Sequence, residues 1–558
     1  MTAATAPVTA PRSWRVPSAG GPVRLLRVEL RRSPMLWLLP VLAAAFYVST
    51  YRPAMDNPAF WNIRSAMVQT HTMLVFAPLL AGAAAWVGSR DGRRGLVDLV
   101  GVTAVPRWAG QLALWAAAAI WAEALYLAGV GVLYGVTAHQ GAWGGPLWWP
   151  VVVGAAVVAA SCALGFAAGV RLPGRFTAGL AALVVFLALA GGAFAIQDNQ
   201  AYAQVWPLNV QGPFPSDSYG IFYPYLPDLA IAQVLFLAGL AAAALGALGL
   251  PAAAGSRWLR GAVAAVTVAG LAAAGTGTAL AGTARVEAHG IVIPALHDAA
   301  SDRPTPYTPV CSRGAVPVCL QPAYRSYLPG VTAGLGPLLG QLAGLPGAPV
   351  RVTQVAVTTV QSTRGNGINF GGPVISGGPP VLYLPLSGLT LPGEGSTHAA
   401  EFTAALRDQY GPMIVNELVG LPAGAVAIGV NDVVGPHHAA QFAVAQALDE
   451  FLNLNAAPPP GTRPPSHSVP ARAGGNGAAA GGGVGAGGSY AGAGGTGIGA
   501  GANGTGGGGS ASGASPSPAQ LQAAVDRFAA LSAAMRHAWL AAHLPALRAG
   551  RITLSEIP

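Results

Sequence analysis

A bundle of seven transmembrane helices followed by a small extracytoplasmic α+β domain is the fold class this sequence predicts. Three observations carry that reading. Of 558 residues, 53% are hydrophobic and only 9% charged, and the mean hydropathy is +0.49, whereas ordinary soluble domains carry about 25% charged residues. Seven apolar stretches approach the ~20 residues a helix needs to cross a bilayer. The arginines in the connections between them alternate from one side to the other.

In chain order, residues 1–22 are rich in Pro, Ala and Ser, lack the apolar core of a signal peptide and are expected to be disordered. Residues 23–33 place Val23, Leu26 and Leu30 on one helical face and Arg24, Arg27 and Arg31 on the other. That pattern suits a helix lying along the membrane surface; a plain basic flank of the first span fits the same residues. The apolar stretches run over about 34–51, 66–88, 109–136, 147–170, 176–196, 229–250 and 261–284, the last being weakest because it is rich in Ala, Gly and Thr.

Orientation follows from the arginines, in which cytoplasmic loops are enriched. The N-terminal segment and the connections 89–108, 171–175 and around Arg257 and Arg260 hold 14 of them, against 2 in 52–65, 137–146 and 197–228. The N-terminus is therefore expected in the cytoplasm and everything after residue 285 outside, in a cell-membrane protein. Cys311 and Cys319 then lie where a disulfide is expected to form, with two free thiols as the alternative. Cys162, within the fourth stretch, reads as a small buried residue.

Residues 351–360 and 380–386 alternate like strands, and 398–410 and 436–454 read as helices, with Pro436 suited to a first helical position. Residues 285–456 are accordingly expected to form the outer α+β domain. The Pro-rich and then Gly/Ala-rich tract 457–518 reads as a flexible linker. In 519–558, Leu521, Val525, Phe528, Met535 and Trp539 fall at the spacing of one amphipathic helix, with Gly550 past its end. It is expected to dock on the outer domain or the membrane surface.

Several chemistries are disfavoured. The chain has no lysine, so it cannot build the lysine-bearing phosphate loop of an ATPase; it is expected to bind no cofactor of its own. The net charge of +9 belongs to the membrane half, with 16 Arg against 8 acidic residues in 1–284 and 13 against 12 thereafter. No basic face interleaved with aromatics points to nucleic acid. His437, His438 and Gln441, with His398 and Glu401, do not supply metal ligands at usable spacing, so no metal site and no catalytic residue is expected. Glu123 is the one clear carboxylate well inside a span, while His71 lies near the outer end of another. Glu123 either lines a substrate route or is protonated or hydrogen-bonded within the helix packing.

The connection after the second apolar stretch, Arg90, Asp91, Arg93, Arg94, Gly95, Leu96, Asp98 and Leu99 closing with Val105, Pro106 and Arg107, resembles the permease subunits of type 2 ABC exporters. The likeness covers about 23–250, with Asp98 standing where the family commonly has Glu. It implies a six-span permease core at 34–250, an added seventh span at 261–284, and a coupling helix in the 89–108 loop that sits in a groove of a separate ABC ATPase subunit, where ATP is bound. It also implies a homodimer or heterodimer with a second permease, and outer-leaflet re-entry of the aromatic segment 197–228, including Trp206, Phe214, Tyr219, Phe222, Tyr223 and Tyr225. Membrane lipid is the remaining expected partner. A receptor-like membrane anchor for an outer binding domain is the competing expectation.

Overall fold

The structure is a computed structural model and describes residues 20–93, 107–195, 220–252, 257–287, 290–356, 374–375, 380–386, 399–421, 438–454 and 516–558. Among the described residues, six helices are long and apolar enough to cross a membrane. Helix α1 (Gly20–Arg32) precedes them. They are α2 (Met35–Met55), α3 (Trp61–Gly88), α5 (Arg107–His139), α6 (Trp148–Arg171), α8 (Asp228–Ala252) and α9 (Arg257–Gly282). The short α4 is Arg90–Arg93, and the fifth expected stretch is the apolar helix α7 (Thr177–Ala195).

Two of these helices run on through prolines. In α2 the turn Tyr47–Tyr51 is a π-turn just before Pro53, and in α3 Thr72–Phe76 is one before Pro78. A proline lacks the N–H that would bond the carbonyl four residues back, and one wide turn takes up the mismatch without ending the helix.

Small residues set how closely the helices approach. A Cβ on Gly165 or Gly169 of α6 would overlap the backbone carbonyls of Ala81 and Ala85 on α3, and a Cβ on Gly88 would lie 2.6 Å from the Phe166 carbonyl oxygen. This is small-xxx-small packing, in which lipid-embedded helices gain dispersion contacts by bringing their backbones together. Helices α8 and α9 pair in the same way, with Gly246 against Thr267 and Gly277 against Ala232 and Phe236. Helix α7 lies along α3, where Gly82 meets Ala178, and Leu189 packs with Met73, Val157 and Leu237.

Beyond α9, β1 (Arg285–Glu287) pairs antiparallel with β2 (Gly290–Val292). A five-stranded sheet follows, made of β3 (Val310–Cys311), β4 (Val318–Leu320), β5 (Arg351–Gln354), β6 (Val374–Ile375) and β7 (Val381–Leu384) in the order β3-β4-β5-β7-β6. The inner pairs β4-β5 and β5-β7 are parallel, and the edge pairs are antiparallel. The helices are α10 (Leu328–Leu342), α11 (Ala399–Val419), α12 (Ala439–Leu454), α13 (Pro518–Ala530) and α14 (Ala533–Arg548). One core joins them, with Leu335 and Leu339 of α10, Val352, Leu382, Leu406, Val415, Val444, Phe528 and Leu544 all at most 1% exposed. Burying each such side chain contributes about 1.5–3 kcal/mol.

Several expectations are corrected. Residues 521–539 lie in two helices, because Ser532 caps α14 by accepting the Met535 N–H and ends the run at Leu531. The helix placed at 398–410 continues to Val419 through Pro412. The strand read over 351–360 is described only as Arg351–Gln354, and the helix α10 had no counterpart in the sequence reading. Pro436, His437, His398 and most of the 457–518 tract lie outside the described residues.

Phe222 is corrected as well. It is buried with Phe60, Tyr324 and Tyr327 in the core shared with the sheet, and Phe60 and Tyr324 ring centroids are 4.7 Å apart. The 220–226 segment thus joins the bundle to the sheet layer at one end. Trp206, Phe214 and Tyr219 lie outside the described residues.

Candidate functional site at the arginine end of the bundle

The end of the bundle away from the sheet carries the C-terminal ends of α1, α3, α6 and α8. Helix α3 closes at Gly88, and the buried Ser89 turns the chain: its N–H donates to the Ala85 carbonyl and its Oγ to the Trp86 carbonyl, each at 3.0 Å. Helix α4 starts at once. The Arg93 N–H donates to the Ser89 carbonyl at 3.0 Å, and its guanidinium donates to the Trp86 carbonyl at 3.0 Å while lying 5.4 Å over the Trp86 ring. Arg90 Nε reaches Asp91 Oδ1 at 3.2 Å. With side chains 26% and 39% exposed, that pair contributes about 0–1 kcal/mol, so it orients the guanidinium more than it stabilises the fold.

The turn is fixed from below. A Cβ on Gly92 would overlap Pro173 in the turn after α6, so α4 seats against that turn only because position 92 has no side chain. Arg171 donates to the Ala247 carbonyl at 2.6 Å, and Trp108 Nε1 to the Leu245 carbonyl at 3.3 Å. Trp121 Nε1 donates to the Leu30 carbonyl at 3.0 Å, which ties α1 to α5. On α1 the three expected apolar positions divide: Val23 is exposed, and Leu26 and Leu30 are half-buried. Arg32, Trp37, Trp86, Arg90 and Arg93 line a cleft of about 540 Å³ between the ends of α1, α2 and α3. Three guanidinium groups beside one carboxylate leave this cleft attractive to an anionic group.

Of the residues the resemblance singles out, Arg90, Asp91 and Arg93 come together in α4, and Arg107 stands exposed at the start of α5. Arg94, Gly95, Leu96, Asp98, Leu99, Val105 and Pro106 lie outside the described residues. Glu123 is half-buried on α5, near enough to Tyr126 and to Cys162 of α6 to act on both electrostatically. It does not line the cleft.

A buried polar set in α3 went unread in the sequence. Arg64, counted above with an outer loop, is inside α3 and 1% exposed. Its Nη1 donates to Thr137 Oγ1 at 2.9 Å and its Nη2 to the Asn57 carbonyl at 3.4 Å. Tyr134 donates its hydroxyl proton to the Leu147 carbonyl at 2.8 Å, so Ser65 Oγ, 2.7 Å away, donates to Tyr134. Gln69 donates to Gln233 Oε1 of α8 at 3.3 Å. The spacing Trp61, Ser65, Gln69 repeats every four residues and was the available signal, but the apolar run that marks a span begins only at residue 66.

At the opposite end, Asp228 opens α8 with a 1% exposed side chain. Its Oδ2 accepts the Ile293 N–H at 2.9 Å and lies 3.3 Å from His297 Nδ1, while His297 Nε2 is 2.9 Å from Asp302 Oδ1. Desolvation alone would lower the His297 pKa; the hydrogen bond and charge of Asp302, then the charge of Asp228, outweigh it and hold the pKa above the usual value. Cys311 and Cys319 face each other across β3 and β4 and are joined by a disulfide, and Cys162 is a buried free thiol. His438 bonds Gln441, whose amide donates to the carbonyls of Val419 and Arg548. Among the described residues no cluster of three His, Cys, Asp or Glu side chains is placed to hold a metal. Comparison of the chain with family models, with curated proteins and with solved structures finds no match.

Proposed function

We propose that this chain is the permease subunit of an ATP-driven exporter in the cell membrane, working as a homodimer or heterodimer with a second permease and powered by a separate ABC ATPase subunit that binds the ATP. In this reading the N-terminus is cytoplasmic, all seven apolar helices cross, and residues 285–456 form an extracytoplasmic α+β domain. The observation that supports it best is the gathering of Arg32, Arg90 and Arg93 around a cleft at one end of the bundle, with Arg107 at the same end. A force applied at α4 reaches two long spans directly, because α4 is joined to α3 through the single turn residue Ser89 and seats on the turn after α6. The guanidinium groups supply the charge to pair with carboxylates on an ATPase.

The competing reading is a membrane-anchored binding protein with no transport activity. It draws support from the extent of the core built after residue 316, which shares Phe60, Ile221 and Phe222 with the bundle. The two are separated by isolating the protein from its native membrane and assaying ATP hydrolysis. Co-isolated ATPase activity, reduced at least about tenfold when Arg90, Arg93 and Arg107 are changed together to Glu, is the expected outcome for charge pairs that carry an interface. If the wild-type protein brings no ATPase activity with it, the transport reading fails.

A further inference from the structure

A second cavity, of about 210 Å³, lies at the other end of the molecule, between the sheet and the segment that leads into α8. Gln321 follows directly after β4, and Thr353 and Gln354 are the last residues of β5. Because β4 and β5 are parallel, the cavity sits at the carboxyl ends of adjacent parallel strands, where open α/β sheets take their ligands. The facing wall is aromatic: Phe222 and Tyr223 come from the segment before α8, and Tyr307 from the irregular segment leading into β3. The two sides are joined by the Thr305 N–H, which donates to the Phe222 carbonyl at 2.8 Å, and by the Tyr307 hydroxyl, which donates to the Cys319 carbonyl at 3.2 Å.

Gln321 and Gln354 are 1% and 2% exposed, unusual burial for amide side chains. The Gln354 Oε1 accepts the Gln321 N–H at 2.9 Å and is satisfied. Gln321 Oε1 and Thr353 Oγ1 are buried and have no hydrogen-bond partner among the described residues, although both residues line the cavity. A buried acceptor left in this condition costs about 1–3 kcal/mol. None of the described lining residues carries a formal charge at neutral pH, and the nearest charge acting on them is Arg351, which reaches Tyr307 electrostatically, so an ion entering here would lose hydration with no charged group in the wall to replace it.

We propose that this cavity is a binding site for a small, neutral, planar ligand bearing an N–H or O–H donor, of the size of a single aromatic or amide-bearing ring. The ring lies against Phe222, Tyr223 and Tyr307, and its donor satisfies Gln321 Oε1, with Thr353 Oγ1 as the second polar partner. The volume falls below the roughly 300–1,000 Å³ of drug-sized sites, which sets the ligand at fragment size. Because Phe222 stands six residues before Asp228, the start of α8, occupancy bears on the packing of a membrane helix against the sheet. The proposal does not rest on the transport reading.

The full-length protein in lipid nanodiscs, with empty nanodiscs as the reference for partitioning, tests this by ligand-observed NMR. The probes are benzamide, methyl benzoate, benzoate and benzylamine: one flat ring presented with a neutral donor, with no donor, as an anion and as a cation. Saturable benzamide binding is expected, about tenfold tighter than methyl benzoate, the discrimination a buried acceptor gives against a ligand with no donor for it, with no saturable binding of the two ions. Gln321→Leu and Thr353→Val should each reduce the preference for benzamide, and Thr353→Ser should retain it. Thr353→Val decides the matter if Gln321→Leu lowers the melting temperature. Equal binding of all four probes, no saturable binding of benzamide, or a preference that survives both substitutions overturns the proposal.

Discussion

At the scale of single residues, what matters is whether a polar group finds its partner. His297 lies between Asp228 and Asp302 and titrates above its usual range. A histidine whose folded pKa is raised adds stability that is fully present below its unfolded pKa, near 6.5, and is lost as pH rises through the folded value. The stability of the wild-type protein should therefore fall relative to His297→Gln as pH is raised from about 6 upward past that folded pKa. Thermal unfolding of both proteins across the range checks this, and parallel curves would refute it. Arg64 gives a second case. Thr137→Val removes one acceptor from a buried guanidinium and is expected to cost about 1–3 kcal/mol, whereas Thr137→Ser keeps the bond and the stability. Denaturation in detergent distinguishes the two variants.

At the scale of elements, backbone approach and cross-links dominate. Gly165→Val would drive a side chain into the Ala81 carbonyl, and a backbone atom has little room to give. A loss of at least about 1–3 kcal/mol is expected from such overpacking. Gly131→Ala, where a Cβ meets nothing within 4 Å and alanine is the better helix former, should not lower the melting temperature. The Cys311–Cys319 bond closes a loop of sequence separation 8. The chain-entropy relation gives about 2–3 kcal/mol for a loop of that length, so Cys311→Ser with Cys319→Ser should lower stability by about that amount, measured against the oxidised protein. Helix boundaries followed the same logic. The length of the apolar runs located the helices of the bundle, but the break at Ser532 depends on one side-chain cap, which a run of Ala, Met and Leu on both sides conceals.

At the scale of the whole molecule, the prediction concerns sidedness. Arg175 and Arg313 are both exposed, at the arginine end of the bundle and in the β3–β4 connection respectively. In intact cells a membrane-impermeant thiol reagent should modify Arg313→Cys and leave Arg175→Cys untouched until the membrane is permeabilised. The reverse pattern would invert the topology and remove the coupling argument with it. Composition made the membrane character legible, and arginine counting gave an alternation that runs through all seven stretches. The polar interior was not legible, because Arg64, Ser65 and Gln69 sit at the margin of an apolar run and look like loop residues until the partners Tyr134, Thr137 and Gln233 are seen.

The sequence by itself determined which stretches are apolar enough to leave water, and it did so through local patterns, since transfer into lipid depends on the residues within one helix length. It also supplied the arginine-rich connection through which a family likeness was read. Only the tertiary structure decided that Arg64 is buried and bonded, that Phe222 belongs to the core of the sheet layer, and that Gln321 and Gln354 meet at the ends of two parallel strands beside an aromatic wall. Those facts depend on residues far apart in the chain, brought together by close packing at small side chains, and no local pattern records such a meeting.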